Sequence, residues 1–181
     1  MLHTPPTLPL PTPDAVRAGL PPKVRELVAP FASVMSLPVQ WGDMDSFGHV
    51  NNVKYARFFE SGRLYHFEQI LRPHLSAETY RSFITGRGIG PIVKSFSINF
   101  RAPCWYNDIL TVAVRGDNLK RDRFTQRFVL VSHAQERVVA DGDAVIVIYD
   151  YQKGAKTDIP PELLRAYEIG EREALRNAKE A

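Results

Sequence analysis

The sequence predicts an α+β domain in which an antiparallel sheet covers one long apolar helix. Two observations carry this. Residues 53–71 contain no proline and are dense in apolar side chains, and four strand-like segments follow with turn residues between them. Consecutive strands at short spacing pair antiparallel, and a helix apolar on more than one face must be covered by such a sheet.

The elements follow in order. Residues 1–33 form a proline-rich extension: Pro5, Pro6, Pro9, Pro11, Pro13, Pro21 and Pro22 rule out one continuous helix. Val24, Leu27, Val28 and Phe31 recur at helical spacing, which predicts a short helix over 24–31. A first strand is expected over 35–41, ending at Trp41, then a polar turn over 42–52. In the long helix, Tyr55, Ala56, Phe58, Phe59, Leu64, Tyr65, Phe67 and Ile70 spread over several faces, so it is expected to be buried on most sides. Gly62 in its interior costs about 1 kcal/mol against alanine, which makes sense where a strand comes close.

Strands are expected over 92–100, 109–115, 124–132 and 138–149. In the first of these Phe96, Ile98 and Phe100 alternate with Ser95, Ser97 and Asn99. Gly116, Asp117 and Asn118 mark one turn and Gln135 and Glu136 another, while Gly142 suggests a bulge. Pro160 and Pro161 open a final helix, with Leu163, Leu164, Tyr167 and Leu175 as its contacts. The organisation is therefore an extension (1–33), a central domain (34–158) and a C-terminal helix (159–181).

Composition narrows the function. Of 181 residues, 44 % are hydrophobic, enough for a substantial core. A net charge of +3 does not argue for nucleic-acid binding. The single cysteine, Cys104, excludes an intramolecular disulfide and a multi-cysteine zinc site, and fits a reducing, cytoplasmic setting. No apolar run reaches the roughly 18 to 20 residues that span a bilayer. The extension lacks a secretory layout, but Arg17, Lys23 and Arg25 outnumber Asp14 and Glu26, which leaves organelle targeting open beside a packed surface extension.

The chemistry concentrates in residues 41–55, Trp-Gly-Asp-Met-Asp-Ser-Phe-Gly-His-Val-Asn-Asn-Val-Lys-Tyr. Asp43 and Asp45 sit between a strand end and a helix start, Gly48 permits a tight turn, and Asn51 or Asn52 suits the helix cap. The first turn of a helix carries unpaired N–H groups and partial positive charge, so a carbonyl placed there is polarised. A carboxylate nearby can attack it or activate water, which favours acyl transfer. Turn and capping duty alone would account for the same residue types.

The segment resembles the signature of the 4-hydroxybenzoyl-CoA thioesterase family of hot-dog proteins, Asp-x-Asp-x-x-Gly-(His)-Val-Asn-Asn before the central helix. The likeness runs on through Tyr55, Phe59, Glu60 and Arg63, then Gly90-Pro-Ile-Val, Pro103, Tyr106, Asp108 and Leu110, in order over residues 36–150. It implies a sheet wrapped around the helix and hydrolysis of an acyl-coenzyme A to free acid and CoA. Asp45 falls on the catalytic carboxylate, and a backbone N–H near Asn52 on the group that binds the thioester oxygen. It also implies homodimers joined edge to edge, with active sites at the interface, and pairing into homotetramers. No metal or prosthetic group is implied; coenzyme A arrives with the substrate.

Other residues fill out the expected site. Glu60 is a second candidate carboxylate, against a plain pair with Arg63 on the same helix face. His49 is a donor or water-orienting group, or a packed loop residue. Gly48 and Tyr55 are expected beside the substrate. Asp43 either assists Asp45 or holds the loop. Lys120, Arg121 and Arg123 fall, by the resemblance, near the coenzyme A phosphates, against the reading of a solvated hairpin tip. Residues 86–90, Gly-Arg-Gly-Ile-Gly, have the wrong spacing for a dinucleotide fingerprint. The histidines show no metal-ligand spacing. Two rival functions share the fold: a dehydratase or hydratase using Asp45 with His49, and a non-catalytic acyl-CoA or acyl-carrier binder.

Overall fold

The computed structural model describes residues 10–180. Five strands form one antiparallel sheet in the order β1-β3-β4-β5-β2: β1 (Ser33–Pro38), β2 (Ile89–Phe100), β3 (Ile109–Asp117), β4 (Arg123–Ser132) and β5 (Arg137–Asp150). A two-residue β6 (Ala155–Lys156) pairs with the end of β5. The sheet curls around α3 (Asn52–Ile70), which gives the α+β hot-dog architecture with a C-terminal helix.

Helix α3 buries Tyr55, Phe58, Phe59, His66, Phe67 and Ile70 against the sheet and α5 (Pro161–Glu180), while the buried Tyr65 donates to the Pro11 carbonyl of the extension. Gly62 is where β3 comes closest, because a Cβ there would lie 2.6 and 2.9 Å from the two methyls of Val112. Helix α5 crosses the end of α3 with Gly170 against the Ile70 carbonyl, burying Leu163, Ala166 and Tyr167. Leu164 and Leu175 are half-buried. The strip of α3 carrying Val53, Arg57, Glu60 and Leu64 stays exposed, so the helix is less enclosed than its apolar content suggests.

The extension folds into α1 (Pro13–Ala18) and α2 (Pro22–Val28). Leu20, Val24, Val28 and Phe31 pack on Val34, Ala113 and Val131, forming a second core apart from the one around α3. The buried Arg17 guanidinium donates to the carbonyls of Val28 and Phe31, and its burial lowers its pKa.

Several expectations are corrected. The first strand ends at Pro38, and Trp41 belongs to a 3₁₀ turn, Trp41–Asp43. The helix expected over 24–31 spans Pro22–Val28, where a proline starts the first turn without loss of a hydrogen bond. Helix α1 and helix α4 (Ala77–Thr85) were not expected. Gly142 forms no bulge: it pairs regularly with Ile98 and Phe128, and a Cβ would collide with the Ser97 carbonyl. The register shifts lie between Val93 and Ser95 and between Leu130 and Val131. Gly116 and Asp117 still belong to β3, and the turn begins at Asn118, whose φ of +49° asparagine tolerates.

Candidate active site

The chain between β1 and α3 is built as a closed turn. Val39 N–H donates to the Asp108 carbonyl and Val50 N–H to that of Cys104, which fastens both ends to the segment before β3. Within the turn, Asp45 N–H donates to the His49 carbonyl at 2.9 Å, and Gly48 N–H to that of Asp45 at 3.1 Å. Gly48 takes a φ of +79° with open space around its Cα, so the backbone conformation, not crowding, calls for glycine.

Asp43 serves the loop. Its carboxylate accepts from Gln40 N–H at 2.8 Å and meets Lys54 Nζ at 3.0 Å, and its carbonyl accepts from Asn51 N–H. Asp45 is differently placed. Oδ1 accepts from Phe47 N–H at 2.9 Å, and Oδ2 lies 3.7 Å from His49 Nδ1. The Asp45 side chain is 17 % exposed, reachable but held. His49 sits 3.2 Å from the Val50 carbonyl and stacks on Phe47.

Asn51 is the helix cap: its side chain accepts from Val53 N–H at 3.0 Å, and its carbonyl from Lys54 N–H. Asn52 is the first residue of α3, exposed, and its N–H has no acceptor among the described residues. That N–H points from the positive end of a 19-residue helix. Asp45 and Asn52 thus share one turn, which the Met44–Val50 bridge closes.

The remaining expected residues scatter. Tyr55 is 2 % exposed and donates to the Ala102 carbonyl, so it packs beneath the loop; burial pushes its phenol pKa well up. Glu60 does not lie on a buried face: its side chain is 61 % exposed and meets Arg63 at 3.4 Å. Lys120, Arg121 and Arg123 lie beyond the far end of β3 from the Asp45 turn, and β3 itself is a nine-residue strand about 27 Å long. Arg121 pairs with Asp158 and Arg123 with Asp122. Within one chain, these three are not part of the Asp45 turn. Burial pushes the Cys104 thiol up to about 11, as befits a core residue.

Two features were missed in the sequence. Aromatic rings flank the turn, with Trp41 and Phe47 76 % and 84 % exposed. A cavity of about 470 Å³ lies between α3, α4 and the start of β2, lined by Arg63, Leu64, Phe83, Ile84, Val93 and Tyr151 among others. The signal for its wall was present: Ser76 caps α4, and Tyr80, Phe83 and Ile84 follow at helical spacing. Ser33, His66 and Glu171 also line up, with Ser33 Oγ 2.9 Å from His66 Nδ1 and Glu171 2.6 Å from Nε2. This trio has the composition of a nucleophilic triad, but Ser33 and His66 are fully buried, so it ties β1, α3 and α5 together. Among the described residues, no group of three or more His, Cys, Asp or Glu side chains is placed to hold a metal, and no helix is long and apolar enough to cross a membrane.

Comparison with known proteins agrees with this architecture. The sequence pattern of the thioesterase-like superfamily matches residues 39–167. The long-chain acyl-CoA thioesterase FadM of Escherichia coli is 26 % identical over 107 residues, 59 % of this chain and 75 % of that protein. A DHNA-CoA thioesterase structure from Staphylococcus aureus superposes with a TM-score of 0.66 at 17 % identity, covering 80 % of this chain and 93 % of the other. A 1,4-dihydroxy-2-naphthoyl-CoA thioesterase from Synechocystis gives 0.62 at 18 %, covering 74 % and 93 %. At these identities the superpositions show the fold.

Proposed function

We propose that this chain, which belongs to the thioesterase-like superfamily and is a thioester hydrolase, cleaves acyl-coenzyme A with Asp45 as its catalytic carboxylate. The observation that carries the reading is the pairing on one turn of a held, reachable carboxylate and the unpaired Asn52 N–H at the start of α3. A thioester carbonyl placed against that N–H is polarised, and the negative charge that develops on its oxygen is stabilised by the helix end. Asp45 then either draws a proton from an attacking water or attacks itself, giving an anhydride that water opens. In both routes the C–S bond breaks, CoA leaves as thiol and the acyl group as acid. His49 beside Oδ2 orients the carboxylate or the water. Neither route needs a metal or prosthetic group.

The active unit in this reading is a homodimer joined along β2, and a homotetramer would be two such units. The support is an open twelve-residue edge that exposes Val93, Phe96 and Phe100. Antiparallel joining brings the far end of one sheet beside the Asp45 turn of its partner, which would carry Lys120, Arg121 and Arg123 towards the nucleotide phosphates. The division into extension (1–33), catalytic domain (34–158) and C-terminal helix (159–181) belongs to the same proposal, as does a cytoplasmic location.

The test is thiol release from short, long and aromatic acyl-CoAs by wild type, Asp45→Asn and Glu60→Gln. Asparagine keeps an acceptor for Phe47 N–H, so the turn should persist while the rate falls at least ~100-fold. Full activity in Asp45→Asn with loss in Glu60→Gln would move the role to Glu60. No thiol from any substrate would favour a dehydratase or a binding protein.

A further inference from the structure

We propose that the cavity between α3, α4 and the start of β2 receives the acyl chain of the thioester held at the partner's Asp45, with Ile84 on α4 setting the length accepted. The inference rests on the dimer and thioesterase readings above.

The geometry follows from the strand itself. The Asp45 turn belongs to the Phe100 end of β2: Tyr55, one turn into α3, packs edge-on to Phe100 at 5.1 Å, and Val50 N–H bonds to Cys104 just beyond the strand. The cavity belongs to the opposite end, where Pro91 and Val93 line it. From Phe100 back to Val93 and Pro91 is roughly 23–30 Å of extended strand, so a chain's own turn stands off from its own cavity. When two β2 edges pair antiparallel about a two-fold axis, the Phe100 end of one strand lies beside the Ile89 end of the other. The partner's Asp45 turn is thereby brought to this cavity, and each chain completes its neighbour's site.

The cavity suits an acyl chain. Its 470 Å³ falls within the range of small-molecule pockets; Leu64, Phe83, Ile84 and Val93 supply an apolar wall, beside polar groups from Arg63 and Thr85. The guanidinium of Arg63 is held by Glu60 at 3.4 Å. The floor lies at the C-terminal end of α4. Gly86 ends the helix at a φ of +64° under the Tyr151 ring, and the Tyr151 hydroxyl donates to the Pro91 carbonyl at 3.1 Å. Ile84 is half-buried on this floor and packs against the main core from outside it.

The experiment has two parts. In the first, kcat/KM for C4 to C16 acyl-CoAs is measured for wild type, Ile84→Trp and Ile84→Ala, with melting curves to verify folding. Filling the cavity should lower the long-to-short ratio at least tenfold in Ile84→Trp, and trimming should raise it in Ile84→Ala. Ratios that stay constant in both variants would overturn the proposal. In the second, differently tagged Asp45→Asn and Ile84→Trp chains are co-expressed and the mixed dimer isolated. If the cavity serves the partner, one site combines both defects and the other neither, and long-chain hydrolysis returns towards half of wild type. No recovery would show that cavity and carboxylate belong to one chain, and would overturn the arrangement. Absence of thiol release from wild type would defeat the thioesterase reading alone. Binding of non-hydrolysable C4 and C16 thioether analogues then decides the cavity, with C16 weakened tenfold in Ile84→Trp if it holds the chain and unchanged if it does not.

Discussion

Gly62→Ala tests how closely the helix is seated on the sheet. Helix propensity alone favours alanine by about 1 kcal/mol. The structure opposes it: the new methyl would lie 2.6 and 2.9 Å from the Val112 methyls and 3.2 Å from a Val114 methyl. Carbon atoms in contact settle near 3.5 to 4.0 Å, so about 1 Å of movement is needed. Val112 is fully buried in β3 and β-branched, which leaves it few ways to turn aside. Overpacking of this kind costs about 1–3 kcal/mol and outweighs the propensity gain. A net loss of up to about 2 kcal/mol is expected, lowering Tm by roughly 4–8 °C at that limit in a domain this size. Thermal and urea melts of Gly62→Ala, Val112→Ala and the double variant measure it. The double variant should be more stable than the sum of the singles by at least ~1 kcal/mol, because trimming Val112 makes room for the methyl. A raised Tm in Gly62→Ala, or strict additivity, would refute the reasoning.

Two further outcomes are expected beside those for Asp45 and Ile84. Asn51→Ala removes the α3 cap, which should cost about 1 kcal/mol in a chemical melt and reduce kcat through fraying at Asn52. Arg101→Ala should change the acid limb of stability. Arg101 grips Asp141 at 2.7 and 3.0 Å, and that hydrogen bond holds the Asp141 pKa below its ordinary 3.8. A carboxyl depressed in the folded state contributes stability that is present above its unfolded pKa and lost as pH falls through the folded one. The variant should therefore lose stability at neutral pH and show a shallower fall below about pH 4 in pH-dependent melts.

What the sequence legibly carried was local. The proline-free run of α3, the alternation of Phe96, Ile98 and Phe100, and the packed glycine at 62 each reflect forces between neighbours in the chain or one facing strand. The Asp45 turn was legible for the same reason, since a carboxylate, a positive-φ glycine and a helix cap fit within eight residues. Short elements such as α1 and α4 escaped notice because six or nine residues give too few repeats of a period. Gly142 was misread because a bulge and a close backbone approach demand the same residue. Tertiary structure alone decided the rest. It exposed Glu60, placed Lys120, Arg121 and Arg123 at the far end of the sheet from Asp45, and gathered Arg63, Ile84, Val93 and Tyr151 around one cavity. Backbone preference and capping act over a few residues and are written in order along the chain. A cavity is the space left between elements, and its shape depends on how far apart their side chains hold them.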